Sequence, residues 1–144
     1  MRQGLFTQYA LRFVGAPYRF GSNGPIAWDC SSFVLELLKA LGANPTKRDM
    51  TAQDIHDWAS SMASSSAMQA KAGTLVFYGR SLALVTHVAM LLSPGFLIEA
   101  GGGDATTRTL QDAENRGWAM VRVRPFGHRP DYLTHINLHL VLDD

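Results

Sequence analysis

Cysteine is scarce in this sequence: 144 residues carry a single one, Cys30. One thiol excludes an internal disulfide, so the fold has to be held by a packed core. An excess of charge of either sign is also missing. Thirteen Lys and Arg against 12 Asp and Glu leave a formal net charge of +1. No basic stripe with interleaved aromatics occurs, which argues against a nucleic-acid partner. No apolar run approaches a bilayer span, so membrane insertion is not expected. The opening stretch "MRQGLFTQYALRFVGAPYRF" places Gln3, Gln8 and Arg12 where a signal peptide needs unbroken apolar residues. The expectation is a protein made in the cytosol, with export by a signal-independent route left open. Repeats are absent, and so are phosphate-binding glycine loops. "AGGGD" (100–104) follows a strand pattern but has neither the Lys/Ser/Thr signature nor a following helix.

What is present is globular material, 47% hydrophobic and 17% charged, in a length that suits one domain spanning 1–144. A monomer is the default expectation. Residues 3–14 set Leu5, Phe6, Tyr9, Ala10, Phe13 and Val14 at helical spacing, and "GAPY" ends that helix. A Gly/Ser/Asn/Pro loop covers 21–28. A second helix starting at Cys30 presents Phe33, Val34, Leu37, Leu38 and Leu41 on one face and stops at Gly42. A third helix over 51–62 is capped by Thr51 with Asp54, and its inner stripe is Ile55, Trp58, Ala59 and Met62. "SSMASSSAMQAKAG" reads as a mobile, Ser-rich connector. After Gly73 the period becomes strand-like, with strands expected over 74–78, 87–92, 96–100, 118–124 and about 133–142. "SPG" (93–95) makes a hairpin turn, and "TLQDAENRG" (109–117) is at most a short helix or turn. Helices followed by an antiparallel meander define an α+β fold.

A lone cysteine is ordinarily a small buried hydrophobe. Cys30, however, opens a helix directly after Asp29, where unpaired N–H groups and the macrodipole favour a thiolate, and that makes it a candidate nucleophile. His87, leading "HVAMLL", is the candidate base. With the hairpin centred near Ser93, Glu99 falls opposite His87 on the same sheet face, where its carboxylate could fix the imidazole tautomer. An exposed strand acid is the plainer alternative for Glu99. The remaining histidines look weaker. His56 is read onto the outer side of the third helix, and His128 lies in a Pro/Gly/Arg-rich loop. His135 and His139 in "THINLHLVL" would approach each other on a helix. The alternation of Ile136, Leu138, Leu140 and Leu142 reads instead as a strand, with the rings about 13 Å apart. No metal site is expected.

"VGAPYRFGSNGPIAWDCSSFV" closely resembles the Gly-x-Pro-Tyr-x-Phe/Tyr-Gly-Gly…Asp-Cys-Ser-Gly-Phe-Val segment of the NlpC/p60 cell-wall cysteine peptidases. "AGTLVFYGR…THVAMLLSPGFLIEAGGG" resembles that family's next strands, so the resemblance runs from about Phe6 to Gly103 in order and spacing. It implies the papain-like NlpC/p60 fold, with N-terminal helices packed on a central antiparallel sheet of about five strands. It also implies Cys30 as nucleophile, His87 as general base, and Glu99 in the place of the polar residue, usually His, that orients the base. Tyr18 matches a Tyr that lines the site and assists the oxyanion or holds substrate. Asp29 and Ser31 match positions that contact the stem peptide, and both also suit helix capping. Ser32 replaces a Gly, Thr74 an Asp, and Gly21–Ser22 a Gly pair.

The implied reaction is hydrolysis of an amide in the stem peptide of bacterial peptidoglycan, commonly between D-glutamate and a diamino acid, with no cofactor. The implied settings are phage lysis, a virion-associated enzyme or a secreted effector. Two alternatives stay open: an amidase or acyltransferase on the same fold, and a non-catalytic phage structural or assembly module.

Overall fold

The computed structural model describes residues 2–43, 45, 49–63, 70–140 and 142. Four helices, α1 (Gln3–Leu11), α2 (Cys30–Ala40), α3 (Ala52–Met62) and α4 (Leu110–Arg116), accompany five strands. These are β1 (Leu75–Ser81), β2 (Leu84–Ser93), β3 (Phe96–Gly101), β4 (Met120–Pro125) and β5 (Tyr132–Ile136). All strand pairs are antiparallel, in the order β4-β3-β2-β1-β5. This is the α+β arrangement that the change of period after Gly73 predicts. Among the described residues, no helix is long and apolar enough to cross a membrane.

The sheet is covered on both faces. On one, α2 and α3 lay Phe33, Val34, Leu37, Leu38, Ile55 and Ala59 over Leu75, Phe77, Val88, Met90, Ile98 and Val121. Edge-to-face contacts of Phe13 with Trp28 and Phe33 extend that core toward α1. The other face carries a smaller cluster of Val76, Tyr78, Ala89, Leu91 and Leu97, closed by Phe126. Strand residues therefore alternate between two cores, which explains the near-continuous apolar runs in β1 and β2.

The segment leading into α2 is tied to edge strand β4. Gly15 donates to the Val121 carbonyl at 2.9 Å, Val121 returns a bond to Ala16 at 2.8 Å, and Tyr18 donates to Ala119 at 2.9 Å. Trp28 and Arg19 then bond back across the loop, to Pro17 and to Trp28 itself, both at 3.0 Å. This strap delivers Cys30 to the sheet.

Several expectations need correction. Helix α1 stops at Leu11 rather than 14, because the chain turns at Gly15 (φ +93°) to pair with β4. Leu5 and Val14 are consequently exposed. In α3, His56 is buried and stands edge-on to Phe77 at 5.2 Å, whereas Met62 is 64% exposed, so the buried stripe is rotated from the predicted one. The first hairpin is longer than expected. Gly79 (φ +155°) carries a bulge, and the Gln53 side chain holds the turn by accepting from Val85 N–H and donating to the Leu82 carbonyl. Strand β4 begins at Met120, after Gly117 (φ +84°) ends α4. Strand β5 ends at Ile136, not near 142. There the Asn137 side-chain oxygen Oδ1 accepts from His139 N–H at 2.7 Å, and His139 takes φ +56°, a local turn that ends the ladder. The central part of the Ser-rich connector, 64–69, lies outside the described residues.

Candidate active site

Asp29 is the N-cap of α2. Its Oδ1 accepts from Ser32 N–H at 2.9 Å, and the Ser32 hydroxyl accepts in return from Asp29 N–H at 3.0 Å, a closed capping box. Its Oδ2 accepts from Gly21 N–H at 3.0 Å, and Ser31 donates its hydroxyl to Oδ1 at 3.3 Å. Asp29 and Ser31 are thus both engaged in holding the helix start. With Ser32 and Phe33 N–H taken by Asp29, the N–H groups of Cys30 and Ser31 are left as the helix's free donors beside the sulfur. Cys30 itself is 8% exposed.

His87 pairs across the first hairpin with Tyr78, so its side chain shares the face of the smaller cluster, and the two rings stand 5.5 Å apart. The second hairpin departs from the predicted register. Pairs Met90–Ile98 and Leu91–Leu97 centre it on Pro94 rather than Ser93. The shift is two residues in pairing, which preserves facing, so Glu99 lies diagonal to His87 instead of directly across and still reaches it. His87 Nε2 and Glu99 Oε1 are 2.7 Å apart, both side chains nearly sealed from water at 7% and 4% exposure.

This pair sets the electrostatics. Burial alone would push the His87 pKa down, but hydrogen bonding and charge from Cys30 and Glu99 outweigh it and raise the value to about 9. Burial would likewise raise Glu99. The hydrogen bond and charge of His87, with the charges of His128 and Arg129, hold it below the ordinary carboxylate value instead. With Nε2 committed to Glu99, Nδ1 is the nitrogen left to serve the thiol. A thiol, an imidazole charged at neutral pH and an ionised carboxylate in series can form and maintain a nucleophile.

Tyr18 is buried against Gly103, where a Cβ would overlap its ring. Burial, followed by the negative charge of Cys30, Asp29 and Asp104, raises its hydroxyl pKa, so Tyr18 stays a proton donor. An open pocket of about 260 Å³ is lined by Thr106, Thr107, Asp112, Asn115 and Arg116. Arg116 pairs with Asp104 at 2.5 Å at that pocket's wall.

One member of the site is not predicted from the sequence. His128 Nε2 lies 3.0 Å from Glu99 Oε2, and its side chain is 8% exposed. Neither periodicity nor a motif marks it, since its partner is 29 residues away. Its flank, with Gly127 and Pro130, signals only a turn. Arg129 beside it binds Asp131 through two nitrogens at 2.9 and 2.8 Å and lies 5.0 Å over the Tyr78 ring. Among the described residues, no three His, Cys, Asp or Glu side chains are arranged to hold a metal ion. His135 Nδ1 instead shares a hydrogen bond with the Tyr132 hydroxyl at 2.6 Å.

Comparison with known proteins agrees with this geometry at the level of the fold. The chain is 34% identical over 95 residues to Protein P54 of Enterococcus faecium, a match that covers 63% of this chain and 16% of that protein. It is similar to the NlpC/p60 domain of the peptidoglycan hydrolase SagA, with a TM-score of 0.64 at 24% identity over 95% of this chain and 99% of that one. It is equally similar to RipD of Mycobacterium tuberculosis, described as a non-catalytic NlpC/p60 domain adapted to peptidoglycan binding. There the TM-score is 0.66 at 16% identity, over 94% of this chain and 96% of that one. Residues 15–124 match the NlpC/P60 family, a stretch that contains Cys30, His87 and Glu99, and the chain belongs to that family.

Proposed function

We propose that the protein hydrolyses an amide bond in the stem peptide of bacterial peptidoglycan, as an endopeptidase between D-glutamate and the diamino acid, with Cys30 as nucleophile. The observation that carries this reading is the buried 2.7 Å His87–Glu99 contact behind a thiol at a helix start. A domain used only for binding has no need of that contact. With its proton already resting on His87 Nδ1, Cys30 would attack the carbonyl carbon as the thiolate. The oxyanion would then meet the N–H groups of Cys30 and Ser31, with the Tyr18 hydroxyl as a further donor. The His87 imidazolium gives its proton to the departing amine, leaving a thioester. Water, deprotonated by His87, attacks that thioester and frees the acid and the thiol. Asp29 and Ser31 line the approach, where the stem peptide would lie. The wall is reached after release or delivery of the protein.

Digestion of purified peptidoglycan tests this. Wild type should release fragments with new γ-D-glutamyl carboxyl and diamino-acid amine termini by mass spectrometry. Cys30→Ala should lower the rate by about a thousand-fold or more, as loss of a nucleophile does. A wall left intact by wild-type protein defeats the reading and favours a binding domain. Cleavage at the muramoyl–L-alanine bond replaces the endopeptidase with an amidase.

A further inference from the structure

His128 belongs to the site but has no part in the scheme above, and the family match ends at residue 124, before it. Its hydrogen bonds fix its protons. Nδ1 lies 3.1 Å from the Pro125 carbonyl oxygen. A carbonyl only accepts, so Nδ1 carries a hydrogen. Nε2 lies 3.0 Å from Glu99 Oε2, and a bare ring nitrogen cannot bond to a carboxylate oxygen. That contact therefore contains a second proton, held by the ring or by the carboxyl.

The surroundings decide which. Glu99 faces cationic His87, with Arg129 and Arg122 also acting on it or beside it. The nearby anion, Asp131, is already bound through two bonds to Arg129. The Tyr78 ring stands 5.5 Å from His87 and 6.1 Å from His128, and among the described residues its buried hydroxyl has no hydrogen-bond partner, so it does not compete for Glu99. An ionised Glu99 between two cationic rings satisfies both carboxylate oxygens and both ring nitrogens of His128.

We propose that His128 is a positioning residue: with a proton on each ring nitrogen, it pins Oε2 of Glu99 and so holds Oε1 on the Nε2 of His87. This rests on the reading of Cys30 and His87 as the working pair, but it does not depend on which bond, or whether any wall bond, is cut.

The test accordingly reads the thiol rather than the wall. Alkylation of Cys30 by iodoacetamide is followed against pH in wild type, His128→Ala, His128→Gln, Glu99→Gln and the Glu99→Gln/His128→Ala double variant. His128→Ala should slow alkylation at mildly acidic pH by about tenfold, the loss of one bond to a charged group, and should move the alkaline limb to lower pH. His128→Gln, whose amide can still donate to Glu99, should recover part of that loss. The double variant should react no more slowly than Glu99→Gln alone, because His128 acts through Glu99. In parallel, ¹⁵N-histidine spectra of the wild-type protein at neutral pH should show His128 protonated at both nitrogens, with Nε2 losing its proton in Glu99→Gln. A wild-type pH profile in folded His128→Ala, strictly additive losses in the double variant, or a bare His128 Nε2 in wild type would each overturn the proposal. The spectra of the unmodified protein decide the matter even where His128→Ala does not fold.

Discussion

Glu99 is one side chain facing two rings, with an oxygen for each. Its substitution by Gln keeps the size and an acceptor for His87 Nε2–H, but removes the carboxylate charge that, after that of Cys30, raises His87. In wild type, activity should decline as pH climbs through about 9, where His87 loses its proton. In Glu99→Gln that alkaline limb should move toward neutrality, with kcat/KM lower by about 100-fold, the low end of what a positioned acid–base group contributes. A pH–rate profile on a soluble stem-peptide substrate measures both. The residues legible in the sequence were those whose role is written locally. Cys30 stands at a helix start beside its cap, and His87 and Glu99 sit at the two ends of one hairpin. The parity of a strand made their shared face predictable even though the register was off by two. His128 was not legible because nothing local distinguishes a loop histidine that closes a network from one that faces water. The burial of His56 is hidden from the sequence for a related reason: which flank of an amphipathic helix meets the sheet is fixed by packing against Phe77, not by spacing.

Helix α2 carries Cys30, the proposed nucleophile, and its start is held by the reciprocal capping box of Asp29 and Ser32. Asp29→Ala should cost about 1 kcal/mol, the usual worth of an N-cap, read as a lower urea midpoint with an unchanged slope. Asp29→Asn retains a capping oxygen and should sit near wild type in stability. A raised KM in Asp29→Asn at unchanged stability identifies a substrate contact, whereas unchanged KM and stability leave the residue as a cap only. Helix starts are legible in the sequence because their chemistry is local. The Thr51–Asp54 box lies where predicted, and Thr109–Asp112 forms a third on the short α4. Element ends were read less well. Strand β5 is cut short by a side-chain turn at Asn137, and β1 is prolonged through a glycine bulge pinned by Gln53, 32 residues from its partner Val85. Those limits are set by contacts that no window of neighbouring residues contains.

For the molecule as a whole, the buried ion cluster ties stability to pH. His87 has its pKa raised from the ordinary 6.5 to about 9, so its contribution is fully present below about 6.5 and is lost as pH rises through about 9. Glu99 is lowered, so its contribution is present above its ordinary 4.5 and is lost as pH falls below it. Melting temperatures measured across pH should therefore form a plateau between those limits and fall on both sides, and Glu99→Gln should flatten both shoulders. A curve that keeps rising beyond pH 9 contradicts this assignment.

Cys30 belongs to the core under the helices, whereas His87 shares the opposite face with Tyr78. The two halves of the proposed reactive pair thus arrive from different layers, and the ring beside their carboxylate comes later in the chain, at position 128. A ribosome releases the sulfur first and its partners long afterwards. Until both layers close, the nascent polypeptide holds a thiol with no imidazole beside it, so the chemistry proposed for the pair has to wait until the last strands have docked.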